Sequence, residues 1–217
     1  MSKTTRRQFV YLAGGALVGC CVGGGVRWAQ GDEAGPLLLR PPGAGPESEF
    51  LSACIRCGQC VQACPYDTLT LADLAEGKEA GTPFLNAREI PCYLCDESIY
   101  DHQPQCIEAC PTTALLPLDS ISDIRMGLAV IDESICWAFN DKSCRTCWQA
   151  CPLKDEAIRL PRFDDGRRPR RRPIVDEDAC IGCGLCVQAC PTAPESIRIT
   201  PESELPQDLH ERRRVRA

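Results

Sequence analysis

Two histidines, two methionines, three tryptophans and an aromatic share of 6% leave this 217-residue chain short of the groups from which most active sites and large cores are made. His102 and His210 stand in polar, loop-like stretches, with no Ser-His-acid order around them. No glycine-rich phosphate loop and no dinucleotide fingerprint is present, so the sequence offers no hydrolytic triad and no nucleotide chemistry. A net charge of −6 disfavours nucleic acid as the main partner. No strongly apolar run reaches the roughly 20 residues that a membrane-spanning helix needs. So few large side chains cannot fill a large core, and something besides apolar packing has to help hold the fold together.

Cysteine is what the chain has in abundance, eighteen in all. Disulfides are the usual meaning of that number in an exported protein. Here the cysteines are clustered rather than scattered, and each cluster ends in Cys-Pro. The stretch Cys54-Ile-Arg-Cys57-Gly-Gln-Cys60-Val-Gln-Ala-Cys64-Pro65 reads C-x2-C-x2-C-x3-C-P, the spacing that holds [4Fe–4S] clusters in bacterial ferredoxins. Three cysteines in a tight loop offer thiolates to one cubane. The fourth, a helical turn further on, points elsewhere and serves a second cluster. The proline stops the helix and turns the chain away from the sulfurs. A zinc site closes one tetrahedron with two C-x2-C pairs and needs neither the three-plus-one spacing nor the final proline.

The run recurs three times. The second group is Cys92-x2-Cys95, ten residues, then Cys106-x3-Cys110-Pro111. His102 lies in its insert as a rare kind of cluster ligand, but Cys106 already completes the set. The third group is Cys136, seven residues, Cys144-x2-Cys147-x3-Cys151-Pro152, with Trp137 and Phe139 in the lengthened gap either shielding a cluster or simply packing. The fourth, Cys180-x2-Cys183-x2-Cys186-x3-Cys190-Pro191, is regular again. Four groups of four account for sixteen cysteines, leaving Cys20 and Cys21 near the N-terminus. Sixteen thiolates match four [4Fe–4S] clusters with no remainder. The pattern predicts an α+β domain over residues 51–200, with motifs at 54–65, 92–111, 136–152 and 180–191. It is built of tandem bacterial-ferredoxin-like units, with short strands and helices around four clusters. Short strands are expected within 115–118, 128–131, 157–160 and 197–199, a short strand or turn within 66–71, and a short helix within 72–80. Two units pair by pseudo-twofold symmetry and exchange their fourth cysteines. Pairing is open between sequential (first with second, third with fourth) and nested (second with third, first with fourth). The adjacency of the two stretched motifs favours the nested scheme. The same sixteen residues are ligands either way.

Outside the motifs, Thr5-Arg6-Arg7-Gln8-Phe9 precedes a glycine-rich, weakly apolar run. A twin arginine before such a run is an export address, so residues 1–30 read as a twin-arginine signal or anchor. That route moves folded proteins, which lets clusters be inserted before transit. Leu17-Val18-Gly19-Cys20 resembles a lipoprotein box. Cleavage, lipidation at Cys20 and retention all leave the domain outside the cytoplasmic membrane. Residues 31–50 are rich in Gly and Pro and read as a linker. Arginines gather at Arg162, Arg167, Arg168, Arg170, Arg171 and Arg172, and again at Arg212, Arg213, Arg214 and Arg216. Such tracts either dock anionic lipid or an acidic partner, or form a solvated loop and a fraying polar tail over 201–217.

Several stretches beyond the cysteines carry a family resemblance. Thr5-Arg-Arg-Gln-Phe9, Arg40-Pro-Pro-Gly-Ala44, Ala53–Thr68, Ile90-Pro-Cys92, Met126-Gly-Leu-Ala-Val130 and the spacing of the third group resemble the NapG/MauM ferredoxin-type proteins. The resemblance covers roughly residues 1–200. It implies a periplasm-facing electron carrier with four [4Fe–4S] clusters, held by the sixteen cysteines named above. Its partner would be a polytopic membrane protein of the NapH/MauN type, the two acting as a quinol dehydrogenase. Electrons would pass towards a periplasmic nitrate reductase or, in the other branch, serve methylamine oxidation. The chain would then be an electron-transfer component rather than a catalyst on its own. The long middle of the second motif and the arginine-rich loop depart from the family pattern. Three other readings compete. An iron–sulfur subunit of a molybdenum oxidoreductase usually rides on its partner's export signal. A cluster maturation factor needs a labile, exposed cluster. A zinc-binding interaction module needs a different spacing.

Overall fold

A computed structural model describes residues 38–95, 103–163, 170–209 and 213. The chain divides into two compact units, Met1–Pro36 and Leu37–Ala217. The first lies outside the described residues, and with it the export address, Cys20 and Cys21. His102, His210, Arg167, Arg168, Arg212, Arg214 and Arg216 lie outside them too. Among the described residues no helix is long and apolar enough to cross a membrane.

Helix and strand are both present, in short pieces. The helices are α1 (Glu47–Ala53), α2 (Gln59–Ala63), α3 (Gln105–Glu108), α4 (Thr146–Ala150) and α5 (Leu185–Gln188). Helices of four or five residues are too short to persist on their own. Four of them, α2 to α5, carry the third cysteine of each motif, and the fourth follows at or just beyond the helix end. Helices α2 and α4 end on Cys64 and Cys151 in extended geometry, with ψ of 115° and 128°. The following proline disfavours helical geometry at the residue before it, so the last cysteine of the motif swings off the helix axis.

The strands pair in four antiparallel couples that repeat one plan. In the second half, β3 (Gly127–Ile131) precedes the third motif and β8 (Ile197–Pro201) follows the fourth; they pair from Gly127↔Pro201 to Ile131↔Ile197. Between the motifs, β4 (Ile158–Arg159) pairs with β7 (Ile174–Val175). Within the intervening arginine-rich stretch, β5 (Arg162–Phe163) pairs antiparallel with β6 (Arg170–Arg171). In the first half, β1 (Leu69–Leu71) pairs with β2 (Pro83–Leu85) between the motifs. Its outer couple is reduced to one bridge, Ala44↔Leu115, beside the Leu116 N–H→Gly43 O hydrogen bond of 2.8 Å. The strand expected at 115–118 is therefore absent. Pro117 has no N–H to donate, and the Leu118 backbone is satisfied instead by the Gln103 side chain. The helix expected within 72–80 is a 3-10 segment, Leu74–Glu79, broken at Gly77, whose φ of 58° is not helical.

Two apolar cores follow the same division. One gathers Phe50, Leu69, Leu85, Leu94, Ile107, Ile124 and Met126; the other gathers Leu128, Ile158, Val187, Ile197 and Leu205. The nested pairing is corrected here: α2 packs on α3, and α4 on α5, so neighbours in the chain pair. The two motifs of each pair are joined by a connection that doubles back as an antiparallel strand couple. A stretched gap within a motif has no bearing on which motif lies opposite.

Residues 38–46, within the expected linker, form no regular element, yet Leu39, Arg40 and Pro41 are buried. Arg40 stacks over the Phe50 ring at 4.9 Å and pairs with Glu47 at 2.5 Å. It also donates to Thr82 Oγ1 at 2.8 Å and to Pro83 O at 3.0 Å. From there on the segment is part of the body. Arg213, in the polar tail, is likewise fully buried.

Candidate metal centre

The structure brings the sixteen motif cysteines into four sets of four, each set lining one small cavity. Cavity A is lined by Cys54, Cys57 and Cys60 of the first motif and Cys110 of the second. Cavity B takes Cys92, Cys95 and Cys106 of the second motif and Cys64 of the first. Cavity C has Cys136, Cys144, Cys147 and, from the fourth motif, Cys190. Cavity D has Cys180, Cys183, Cys186 and, from the third, Cys151. Each motif gives three cysteines to one cavity and its fourth to the neighbour. The shared three-plus-one set of cysteines makes them four copies of one kind of site. A further cavity among the described residues, lined by Gly43–Glu47 with Asp119, Asp123, Arg125 and Met126, holds no cysteine.

Local geometry explains how the loops close. Gly58 and Gly184 precede α2 and α5 with φ of 73° and 85°, a left-handed turn that glycine adopts freely. The turn carries the chain from the second cysteine of the motif straight into the helix bearing the third. In the second motif positive φ falls earlier, on Leu94 (59°) and Cys95 (52°).

The cysteines are free thiols, with no disulfide among them. Among the described residues, no group of three or more His, Cys, Asp or Glu is arranged to hold a single metal ion. The thiols ring a volume instead of converging on a point, as a polynuclear cluster requires. Burial pushes the Cys60 and Cys151 thiols up to about 11, and those of Cys92 and Cys147 up to about 12. It raises Cys95, Cys106, Cys180, Cys183 and Cys186 as well. Thiolates in such surroundings need a positive partner, which iron supplies. Cys110 and Cys190 differ. Burial acts to raise them too, but hydrogen bonds outweigh it and hold both below the ordinary value. For Cys110 these come from Thr112, Leu115 and Ala114, and for Cys190 from Ser196 and Thr192. The Thr192 and Ser196 hydroxyls stand 3.1 and 3.4 Å from the Cys190 sulfur, and Thr112 stands 3.6 Å from that of Cys110. The Ala129 N–H points at the Cys180 sulfur from 3.5 Å. Donors aimed at sulfur suit a site that gains negative charge on reduction.

Trp137, an exposed residue, lines cavity C with Lys142 4.5 Å above its ring. Phe139 does not line the cavity; Arg172 stacks on it at 5.3 Å. Of the arginine-rich loop, Arg170 pairs with Asp141. Arg213 donates to the carbonyls of Gly127, Cys180 and Glu177 and pairs with Glu202. Arg88 donates to the carbonyls of Val187 and Cys190, both at 2.9 Å, and so ties the first half of the domain to the end of α5. Arg88 and Arg213 carried no motif signal that would single them out.

Thiol rings exchanged between paired motifs define an iron–sulfur protein of the ferredoxin type, and two family models match it. Residues 53–114 match a 4Fe-4S dicluster domain and residues 173–194 a 4Fe-4S binding domain. The chain is 47% identical over 184 residues to the ferredoxin-type protein NapG of Escherichia coli, covering 82% of this chain and 76% of that one. It is 43% identical over 188 residues to the methylamine utilization ferredoxin-type protein MauM of Paracoccus denitrificans, covering 84% and 81%. NapG of Haemophilus influenzae is 40% identical over 188 residues, covering 82% and 65%. The protein belongs to the NapG/MauM family of ferredoxin-type electron-transfer proteins.

Proposed function

We propose that cavities A to D each hold one [4Fe–4S] cluster, with the sixteen cysteines as ligands, in a tandem α+β arrangement of ferredoxin units. Each cluster, when bound, takes up or gives back one electron. The chain relays electrons from a polytopic membrane quinol-oxidising partner of the NapH/MauN type towards a periplasmic reductase such as nitrate reductase. It works at the outer face of the cytoplasmic membrane after export by the twin-arginine route. The observation that carries the relay is the exchange of fourth cysteines. One helix then serves two cavities, which keeps neighbouring centres close. The export reading rests on Thr5-Arg6-Arg7-Gln8-Phe9 and the run behind it.

Iron and acid-labile sulfide analysis of anaerobically purified protein, followed by a reductive EPR titration, tests the loading. About 16 iron atoms per chain and interacting S = 1/2 signals are expected. Zinc in place of iron, or about 4 irons per chain, sinks the relay. Fractionation of cells tests the location, with the mature chain expected in the periplasm or on the membrane.

A second reading is the methylamine branch, favoured by the 43% identity to MauM. A deletion strain separates the two: loss of periplasmic nitrate reduction supports the first, and loss of growth on methylamine the second.

A further inference from the structure

Within each half, two helices set the neighbours. Helix α2 gives Cys60 to cavity A, and Cys64 at its end goes to B; α3 gives Cys106 to B, and Cys110 just beyond it goes to A. Helices α4 and α5 link C and D in the same way through Cys147, Cys151, Cys186 and Cys190. Where the halves meet, the Cys92 N–H donates to the Cys183 carbonyl at 2.9 Å. Cys92 lines B and Cys183 lines D. Among the described residues no other backbone hydrogen bond joins a cysteine of one half to a cysteine of the other.

The packing agrees. Ile181 and Cys183 of cavity D sit in the first half's core, with Leu94 and Cys106 of cavity B. Met126 N–H donates to Ile181 O at 3.1 Å. The seam is fastened by Gln188 Nε2 on Glu89 O at 3.0 Å and by Tyr93 Oη on Gln188 Oε1 at 3.1 Å. A Cβ on Gly184 would run into Ala87, so the glycine permits the close approach. All four cysteines of D are buried; B has three half-buried cysteines and C two, and A has the exposed Cys57.

We propose that the four cavities form a single file in the order A, B, D, C, and that the Cys92–Cys183 peptide contact is the crossing between the halves. The order rests on the reading that every cavity holds a cluster. Spatial order thus departs from chain order: the third cavity in the sequence is an end of the file, and the fourth is interior. Clusters held in B and D would exchange one electron across this crossing, one oxidised by one as the other is reduced by one.

The test uses the full-length, cluster-loaded protein, fully reduced, so that adjacent paramagnetic centres split or broaden each other's EPR signals. Iron content is measured first. A wild-type chain far below about 16 irons overturns the four-cluster reading itself, before order is asked. With loading established, C57A removes the centre in A and C144A the centre in C. The single file predicts that each variant sharpens one remaining signal and leaves the coupling across the halves intact. If C144A instead sharpens two signals and abolishes that coupling, C lies between B and D and the order is wrong. Two sharpened signals in C57A would likewise place A inside the file. If either alanine variant fails to fold, C57S and C144S keep an oxygen ligand and mark one centre by a shifted midpoint. The signal perturbed when the marked centre is reduced must then belong to B for C57S and to D for C144S. The opposite assignment overturns the order.

Discussion

Thr192 shows how much a single hydroxyl settles. It accepts the Ser196 N–H at 2.7 Å, which leaves its own hydrogen for the Cys190 sulfur at 3.1 Å. Ser196 adds a second hydroxyl at 3.4 Å. Donors to a ligand sulfur favour the more negative, reduced cluster, so S196A lowers the midpoint of the centre in cavity C by something on the order of tens of millivolts. A potentiometric EPR titration checks it, and a midpoint that stays or rises refutes it. Arg213 makes the opposite kind of case. Its guanidinium is fully buried against three carbonyls and Glu202. R213M keeps the bulk but strands the Glu202 carboxylate and the Gly127 and Cys180 carbonyls, costing about 3–5 kcal/mol. Chemical denaturation of the loaded protein reads this; a loss below about 1 kcal/mol would show that water takes over the role. The Cys-Pro endings and the sixteen cysteines were plain in the chain, but nothing marked the threonines that follow at Thr112 and Thr192. Arg213 was not marked either, because a run such as Arg212-Arg213-Arg214 has no periodicity to show which member turns inward.

At the level of elements, the first and fourth motifs make a controlled comparison. Arg56 and Gly182 occupy the same place in C-x2-C, with φ of 57° and 75°. Gly182 needs to be glycine for a second reason: a Cβ there would meet the backbone of Gly127 in β3. Arg56 lies outward, its side chain donating to Ala80 O at 2.9 Å and Lys78 O at 3.0 Å. G182A therefore pushes β3 off the loop and costs more than about 2 kcal/mol, with iron lost from cavity D. R56G relieves an unfavourable φ, loses two exposed hydrogen bonds and stays within about 0.5 kcal/mol of the parent. Thermal melts with iron counts decide it, and equal losses in the two variants would refute the asymmetry. Helix ends were legible from Cys-Pro, and three of the four expected strands from their β-branched and leucine runs. The partner of each motif was not. Spacing within a motif fixes a loop, whereas pairing depends on how the connections fold back, and they do so as strand couples of two or three residues.

The whole molecule is held together by its cysteines as much as by its apolar side chains. Cys60, Cys106 and Cys183 belong to one core, and Cys151, Cys180, Cys186 and Cys190 to the other. This is what the shortage of aromatics demands. It also dictates different pH behaviour with and without iron. In the cluster-free, reduced fold, burial holds Cys60 and Cys151 up to about 11 and Cys92 and Cys147 up to about 12, against an ordinary 9.0. Below 9.0 these thiols are protonated in folded and unfolded chains alike, and their contribution to stability is fully present. Above it the unfolded chain releases protons that the fold retains, so stability falls as pH rises through 11 and 12. In the loaded protein the sulfurs have already lost their protons to iron, and this source of loss is gone. Anaerobic denaturation of apo and loaded chains at about pH 8, 9, 10 and 11 should show the apo midpoint falling steadily from about 9 upwards while the loaded one holds level. Loading should strengthen over the same direction, because each thiol that binds iron gives up a proton. An apo midpoint that does not change with pH would mean that the empty cavities admit water and the thiols titrate as they do in the unfolded chain.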